Sequence, residues 1–443
     1  MTALGSVVSA RVLPGRHPDD RTIAALGVPA LGALAADPLY SLVDTAFVGR
    51  LGVPQLGGLA VGVAAFTASF WIFSFLAYGV TPRVARALGA GQADEASRVA
   101  VQALQLAVLL GGAVTLVGVL FTGPIVRVFG GAGDVSSFAE AYLRIRVLAA
   151  VPVLIAQVGQ GYLRGAQDTR TPTYIVVSGA LLNIAFGYVF IFVLGWGIQG
   201  AAWATVVCQT GAAIGFIWVL RRRMTEVEWR PDAAGMRSLL GVGGDLAVRT
   251  GSLLAGLTLA TSLAARIGTT SVAAWQIAMQ IFLLLSLTMD TLAIAAQALV
   301  ATHLGARRPE RARAVSVRLI SLGMYLGAAF TAVLLASAFP LARVFTDSSA
   351  VAVLGGQLLI WMALLQPLGA LAFTLDGILI GASDTRFLAV AMAAVTGVFV
   401  AVMLGLHAAG AGIWGVAAGM TVWMALRGAT TLLRFRGSRW SSV

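Results

Sequence analysis

The chain has 443 residues, of which 59% are hydrophobic and 11% charged, with mean hydropathy +0.90 and a net charge of +12. Soluble domains carry about 25% charged residues, so this composition excludes one. The single Cys208 and three scattered histidines (His17, His303, His407) exclude an internal disulfide and suggest no Cys- or His-based metal centre.

Apolar stretches of bilayer length recur from end to end and predict an all-α polytopic membrane protein. Loop signals divide it into twelve spans, 23–48, 57–81, 99–122, 140–163, 172–194, 199–220, 238–265, 273–302, 319–339, 352–380, 387–408 and 411–430. The polar, Arg-bearing N-terminus up to Arg21 shows no cleavable signal peptide. The first span holds two carboxylates, Asp37 and Asp44, with Tyr40 and Ser41 at the spacing that shares one helix face. A mid-helix aspartate costs about 2.5–3.5 kcal/mol on insertion scales. Such residues face a bundle interior or watery cavity and mark ion or proton paths. The alternative is a structural pair sealed by hydrogen bonds from neighbouring helices. Pro29 should kink this span.

The segments RALGAGQADEASR and LGARRPERARAVSVR, after the second and eighth spans, read as amphipathic helical elbows able to hold anionic lipid headgroups. Anchoring of topology is their simpler role. All 30 basic residues are arginine. With a cytoplasmic N-terminus, 23 of them fall in inner segments and only Arg50, Arg127, Arg266 and Arg343 in outer loops. Positive-inside bias therefore puts both termini in the cytoplasm and accounts for the net charge without nucleic acid.

A shift of 216 residues lays the chain on itself. Arg50-Leu51-Gly52 meets Arg266-Ile267-Gly268, Arg127-Val128-Phe129 meets Arg343-Val344-Phe345, and GAQDTR at 165–170 meets GASDTR at 381–386. Near the end the shift is 215, with Gly197-Ile198 on Gly412-Ile413. Six spans per half give two bundles of equal sense, related by an axis along the membrane normal, with a transport pathway between them. The expected division is an N-lobe at 1–220, an Arg-rich linker at 221–237 and a C-lobe at 238–443.

The stretches VPALGALAADPLYSLVDTAFVGRLG, GAQDTR/GASDTR and LLNIAFGYVFIFVLGWGIQGAAWATVVCQ resemble multidrug and toxic compound extrusion (MATE) transporters. AVRTGSLL around Arg249 and MDTLAIAAQALVATHLGAR resemble their DinF branch. The resemblance covers essentially the whole chain. It implies two six-helix lobes in a V, exporting amphipathic and often cationic drugs or toxic metabolites against inward H⁺ or Na⁺ by alternating access. It implies further that Asp44 is the coupling acid, Pro29 the kinking proline, and Asn183 and Thr205 the polar partners on the fifth and sixth spans. Where many members have an aspartate four residues after that Asn, this chain has Gly187. That departure disfavours Na⁺, and Asp37 becomes a candidate second charge.

The position matching Asp44 in the second half is Ala260, which places coupling in the N-lobe. Arg249 and Asp290 lie at similar depth and predict an interhelical ion pair or gate, with Asp245 one turn away as a third member and Asp376 near the interface. Cavity candidates are Tyr40, Phe66, Phe70, Trp71, Gln157, Trp203, Gln276, Met279 and Phe282, since aromatic and methionine surfaces accept flat cations; helix packing is the plainer role for each. The expected partners are small amphipathic molecules and lipids, with a monomeric chain in a bacterial cytoplasmic membrane and no cofactor beyond the coupling ion. Absence of GxxxxGK[ST] argues against ATP as fuel. A lipid-linked sugar flippase of the same superfamily is one rival, kept open by Arg144, Arg146 and Arg249. A polytopic membrane transferase is the other, and it lacks clustered acids for Mg²⁺.

Overall fold

The computed structural model describes residues 17–441 apart from 72, 74, 226–228, 230 and 231; the side chains of Asp37 and of 69–71 lie outside the described residues. The helices of the first half are α1 (Asp20–Gly49), α2 (Val53–Trp71), α3 (Phe75–Gly89), α4 (Ala93–Leu120), α5 (Thr122–Val128), α6 (Gly133–Arg146), α7 (Ala150–Gly165), α8 (Arg170–Tyr188) and α9 (Gly197–Arg223). The second half has α10 (Ala233–Ile267), α11 (Thr269–Gly305), α12 (Pro309–Val344), α13 (Ser349–Gly381), α14 (Thr385–Ala408) and α15 (Gly412–Arg436). A bilayer offers the backbone no water, so every spanning segment must satisfy its amides within a helix.

Among the described residues, eleven helical stretches are long and apolar enough to cross a membrane. The remaining predicted span, 57–81, falls on α2 and α3, with residues 72 and 74 between them outside the described residues. The two expected elbows are corrected. Each is a helix end, a tight turn and the first turn of the next long helix. Gly91 and Arg307, 216 residues apart, take positive φ (74° and 56°), and the amides of Gln92 and Arg308 return to Ala87 and His303 at 2.9 Å. That bond closes a Schellman-type end, and the acidic first turns of α4 (Asp94, Glu95) and α12 (Glu310) suit the positive ends of those helices. The GAQDTR and GASDTR loops repeat the device at Gln167 (φ 58°) and Ser383 (φ 64°). Asp168 then caps α8 through Thr171 N and Oγ1 (3.0 and 2.6 Å) and pairs with Arg223, while Asp384 pairs with Arg434. Burial pushes the Asp168 carboxyl up, but the Thr171 bonds and the Arg223 charge outweigh it and hold its pKa below the ordinary value.

The chain divides into two compact units, 28–243 and 1–27 with 244–443. The two boundaries, after Gly27 and after Gly243, are 216 residues apart, so the beginning of each half's first helix is counted with the other unit. In the second unit Asp19 pairs with Arg311 and Asp20 with Arg318. In the first, Asp232 accepts from Gln102 at 2.9 Å, the Trp229 carbonyl accepts from Gln105, and the Ser238 carbonyl and hydroxyl accept from Arg83. The sequence expectation assigned 221–237 to a linker between lobes; in the structure Trp229 and Asp232 make these bonds within the first unit.

Close helix contact is achieved by the same glycines twice. A Cβ at Gly161 would lie 2.9 Å from the Ala77 carbonyl, and one at Gly165 would lie 2.7 Å from that of Thr81. Their mates Gly377 and Gly381 face Ala293 and Gln297 backbone at 2.5 and 2.9 Å. Small residues four apart let membrane helices meet backbone to backbone. The one-residue slip between halves also has a structural origin. α8 ends in a π-helical turn, Val189–Val193, whereas α14 is α-helical throughout. A π-turn accommodates one extra residue, and this turn lies between the segments aligned at 216 and at 215.

Candidate functional site

Asp44 lies on α1, 6% exposed, among side chains of the first unit. α1 is helical through both Pro29 and Pro38. The Pro29 carbonyl accepts from Thr173 Oγ1 at 2.6 Å, which ties this part of α1 to α8. Asn183 on α8 and Thr205 on α9, 2% exposed each, complete the group. With the Asn183 amide oxygen turned to Thr205, it accepts from Thr205 N (3.3 Å) and Oγ1 (3.2 Å), and its nitrogen donates to Asp44 Oδ1 at 3.3 Å. That orientation satisfies both ends of the amide. The three residues chosen from the sequence therefore form one hydrogen-bonded row.

Gly187, one turn along α8 from Asn183, completes the wall: a Cβ there would stand 3.6 Å from Asp44 Oδ1. Aromatic rings close the neighbouring space, with Phe47 edge-on to Tyr188 and Phe192. No ion pair among the described residues involves Asp44, and no group of three His, Cys, Asp or Glu among them could hold a metal. The charge whose field reaches Asp44 is Arg146, at the end of α6, itself 8% exposed. Its guanidinium lies 3.9 Å over the Phe66 ring, and Nη1 has no hydrogen-bond partner. From the sequence, Arg146 counts only as one of three arginines that keep the flippase reading open.

A cavity of about 160 Å³ opens beside this row, lined by Tyr40, Gln157, Gln160, Arg164, Asn183, Cys208 and Gln209 among others. Asn183 thus joins the cavity wall to Asp44. Drug-sized pockets run to about 300–1,000 Å³, so this space suits several waters rather than a whole drug. Of the expected cavity residues, Tyr40 and Gln157 line it. Phe66 lies instead under Arg146 and beside a separate apolar recess. Met279 and Phe282, both 7% exposed, are members of the second unit's hydrophobic core. Trp203 and Gln276 are exposed and do not line the cavity. Phe70, Trp71 and Asp37 have side chains outside the described residues.

In the second unit, Asp376 is a carboxylate set against Arg249. Asp376 Oδ2 takes Arg249 Nη2 and Arg427 Nη2, each at 2.5 Å. The packing of α13 and α15 brings Asp376 and Arg427 together. Asp376, expected near the interface, is 2% exposed. Asp245 accepts from Thr385 Oγ1 at 2.8 Å rather than joining that cluster.

A polytopic chain, helical throughout its described residues, built twice over and carrying the buried Asp44 beside a polar cavity, has the make-up of a membrane transporter. The MatE family profile matches residues 29–189 and 253–423, and the chain belongs to that family. It is 36% identical over 417 residues to Protein DETOXIFICATION 44, chloroplastic, of Arabidopsis thaliana, covering 90% of this chain and 80% of that one. It is 29% identical to DNA damage-inducible protein F of Escherichia coli (87% and 86% covered) and 28% to a probable multidrug resistance protein NorM of Geobacillus kaustophilus (83% of each). A crystal structure of MATE in the bent conformation shares the fold with TM-score 0.88 over 98% of each chain, at 22% identity.

Proposed function

We propose that this protein exports amphipathic, often cationic, compounds by alternating access in exchange for protons, with Asp44 as the group that takes up and releases the proton. The supporting observation is the buried row Asp44–Asn183–Thr205, in which the carboxylate has one amide donor and a polar cavity on the far side of that amide. A carboxylate so placed is stable when neutral and costly when charged. Occupancy by a proton therefore changes what the surrounding helices can tolerate. Coupling requires that proton and drug favour different states, not merely that both bind.

Sodium fits less well. It would need several oxygen ligands, and the carboxylate that many relatives place four residues after the Asn is absent at Gly187. The drug-export reading draws on the likeness to probable multidrug resistance proteins of the NorM type. A flippase for a pyrophosphate-linked lipid would want a cationic cavity, whereas the one guanidinium lining this cavity, Arg164, is bonded to Gln160 Oε1 at 2.9 Å. The arginine distribution supports a monomeric chain in a bacterial cytoplasmic membrane only so far as topology goes: both termini on the inner side.

The test is ethidium efflux from proteoliposomes under separate proton and sodium gradients. Asp44→Asn should insert normally and lose efflux driven by the proton gradient. Wild-type efflux rates in that variant would refute the reading.

A further inference from the structure

The internal repeat makes one comparison possible that neither half offers alone. Around Asp44 stand Tyr142 and Arg146 from α6, Asn183 and Gly187 from α8, and Thr205 and Cys208 from α9. At the register of each segment, the first five of these and Thr205 correspond in the second half to Ala260, Leu358, Met362, Phe399, Met403 and Met420. All six of those are members of one hydrophobic core, each no more than 1% exposed. The polar group is therefore present as a set in one half and absent as a set in the other. Arg146 belongs to that set.

The Arg146 guanidinium is 8% exposed, stacked on Phe66 and hydrogen-bonded to the Tyr142 side chain, yet its buried Nη1 has no partner, so these contacts leave part of the charged group unmatched. Methionine fills its place in the other half at no electrostatic cost. Charged groups are kept inside membranes where they face one another, and Asp44 is a carboxylate that the charge of Arg146 reaches. Tyr142, Asn183, Thr205 and the Cys208 thiol are the other groups facing the carboxylate, and none of them carries a compensating positive charge. The Asp37 side chain, on the same helix, lies outside the described residues.

We propose that Arg146 is the counter-charge of Asp44: a positioning residue that neutralises the carboxylate whenever its proton leaves, so that the site empties without taking a metal cation in exchange. The proposal rests on the proton-coupled reading above. It explains why Gly187 is tolerated. Once the site contains its own cation, a second carboxylate to recruit one from solution is unnecessary.

The experiment uses the full chain in proteoliposomes, with ethidium efflux measured across pH for wild type, Arg146→Lys, Arg146→Met and Asp44→Asn. Removing an adjacent cation makes deprotonation harder, so Arg146→Met should move the half-maximal pH of efflux upward by about one unit or more, tenfold in proton concentration. Arg146→Lys should restore the wild-type profile. If Asp44→Asn still exports under a proton gradient, the coupling reading fails. If Asp44→Asn stops export while Arg146→Met keeps the wild-type profile, the Arg146 proposal alone is overturned. Should Arg146→Met insert poorly, thermal unfolding of detergent-purified protein decides. Asp44→Ala with Arg146→Met copies the pair Ala260 and Met362 and should melt above Arg146→Met alone; equal or lower melting would refute the pairing.

Discussion

Gly187→Asp is the substitution that most directly tests the account of the coupling site. The added Cβ would stand 3.6 Å from Asp44 Oδ1 and 3.7 Å from Phe47 Cδ2, ordinary contact distances, so the side chain can enter without moving backbone. Two carboxylates then share one buried space. At a separation of about 4 Å and an effective dielectric of about 20 their repulsion is about 4 kcal/mol. A monovalent cation seated between them removes that cost, and the Asn183 amide, turned to present its oxygen, supplies a further ligand. The variant should therefore bind sodium where the wild type does not. Bound sodium at about 100 times its Kd stabilises the folded state by about 2.7 kcal/mol. The chain provides its own reporter, because Cys208 is its single cysteine and is 8% exposed. Its alkylation by a fluorogenic maleimide during heating marks unfolding of the first unit. Melting in sodium chloride is compared with melting in choline chloride at equal ionic strength. A shift confined to Gly187→Asp is expected. The same response to sodium in wild type and variant would refute the argument that position 187 decides the coupling ion.

Several parts of this arrangement were legible in the sequence for definite physical reasons. Bilayer thickness sets span length, so eleven of the predicted spans reappear as spanning helices, and positive-φ turns recur at Gln167 and Ser383 because the loop sequence recurs. Asp44, Asn183 and Thr205 came from the family resemblance, and their contact is what packing adds. What was hidden is choice of partner. Depth along a helix is one coordinate; rotation and neighbour order are two more, and they brought Asp376 and Arg427 to Arg249. Met279 and Phe282 have the chemistry of a drug surface and also that of a core, and only burial separates the two. Arg146 could have been found earlier by carrying the 216-residue shift through every buried position, since it aligns with a core methionine. The same shift explains the Asp376 cluster. Arg249, Asp376 and Arg427 align with Ala33, Gln160 and Ala212, which line the cavity of the first unit. The second unit fills with charged side chains the space that the first leaves open.

Two further outcomes concern stability. Gly165→Ala places a methyl 2.7 Å from the Thr81 carbonyl, and Gly381→Ala one 2.9 Å from Gln297 Cα, so each should lower stability by about 1–3 kcal/mol; unchanged melting of either purified variant would show that the helices can separate freely. The cluster on Asp376 gives a sharper contrast. Asp376→Asn leaves two guanidiniums facing a neutral group in a site where Asp376 is 2% and Arg427 3% exposed, and stranding a buried charge costs about 3–5 kcal/mol. Replacing all three together by apolar residues of similar size, Asp376→Leu with Arg249→Met and Arg427→Met, removes the charges along with their desolvation cost. That triple variant should melt close to wild type and well above Asp376→Asn, with thermal aggregation followed by fluorescence-detected gel filtration. If the cluster served instead as a gate that must carry charge, the triple variant would be stable yet transport nothing under a proton gradient. If the single variant melts at or above the triple, the three groups do not act as one electrostatic unit, and the view that they fill the second unit's counterpart of the cavity loses its support.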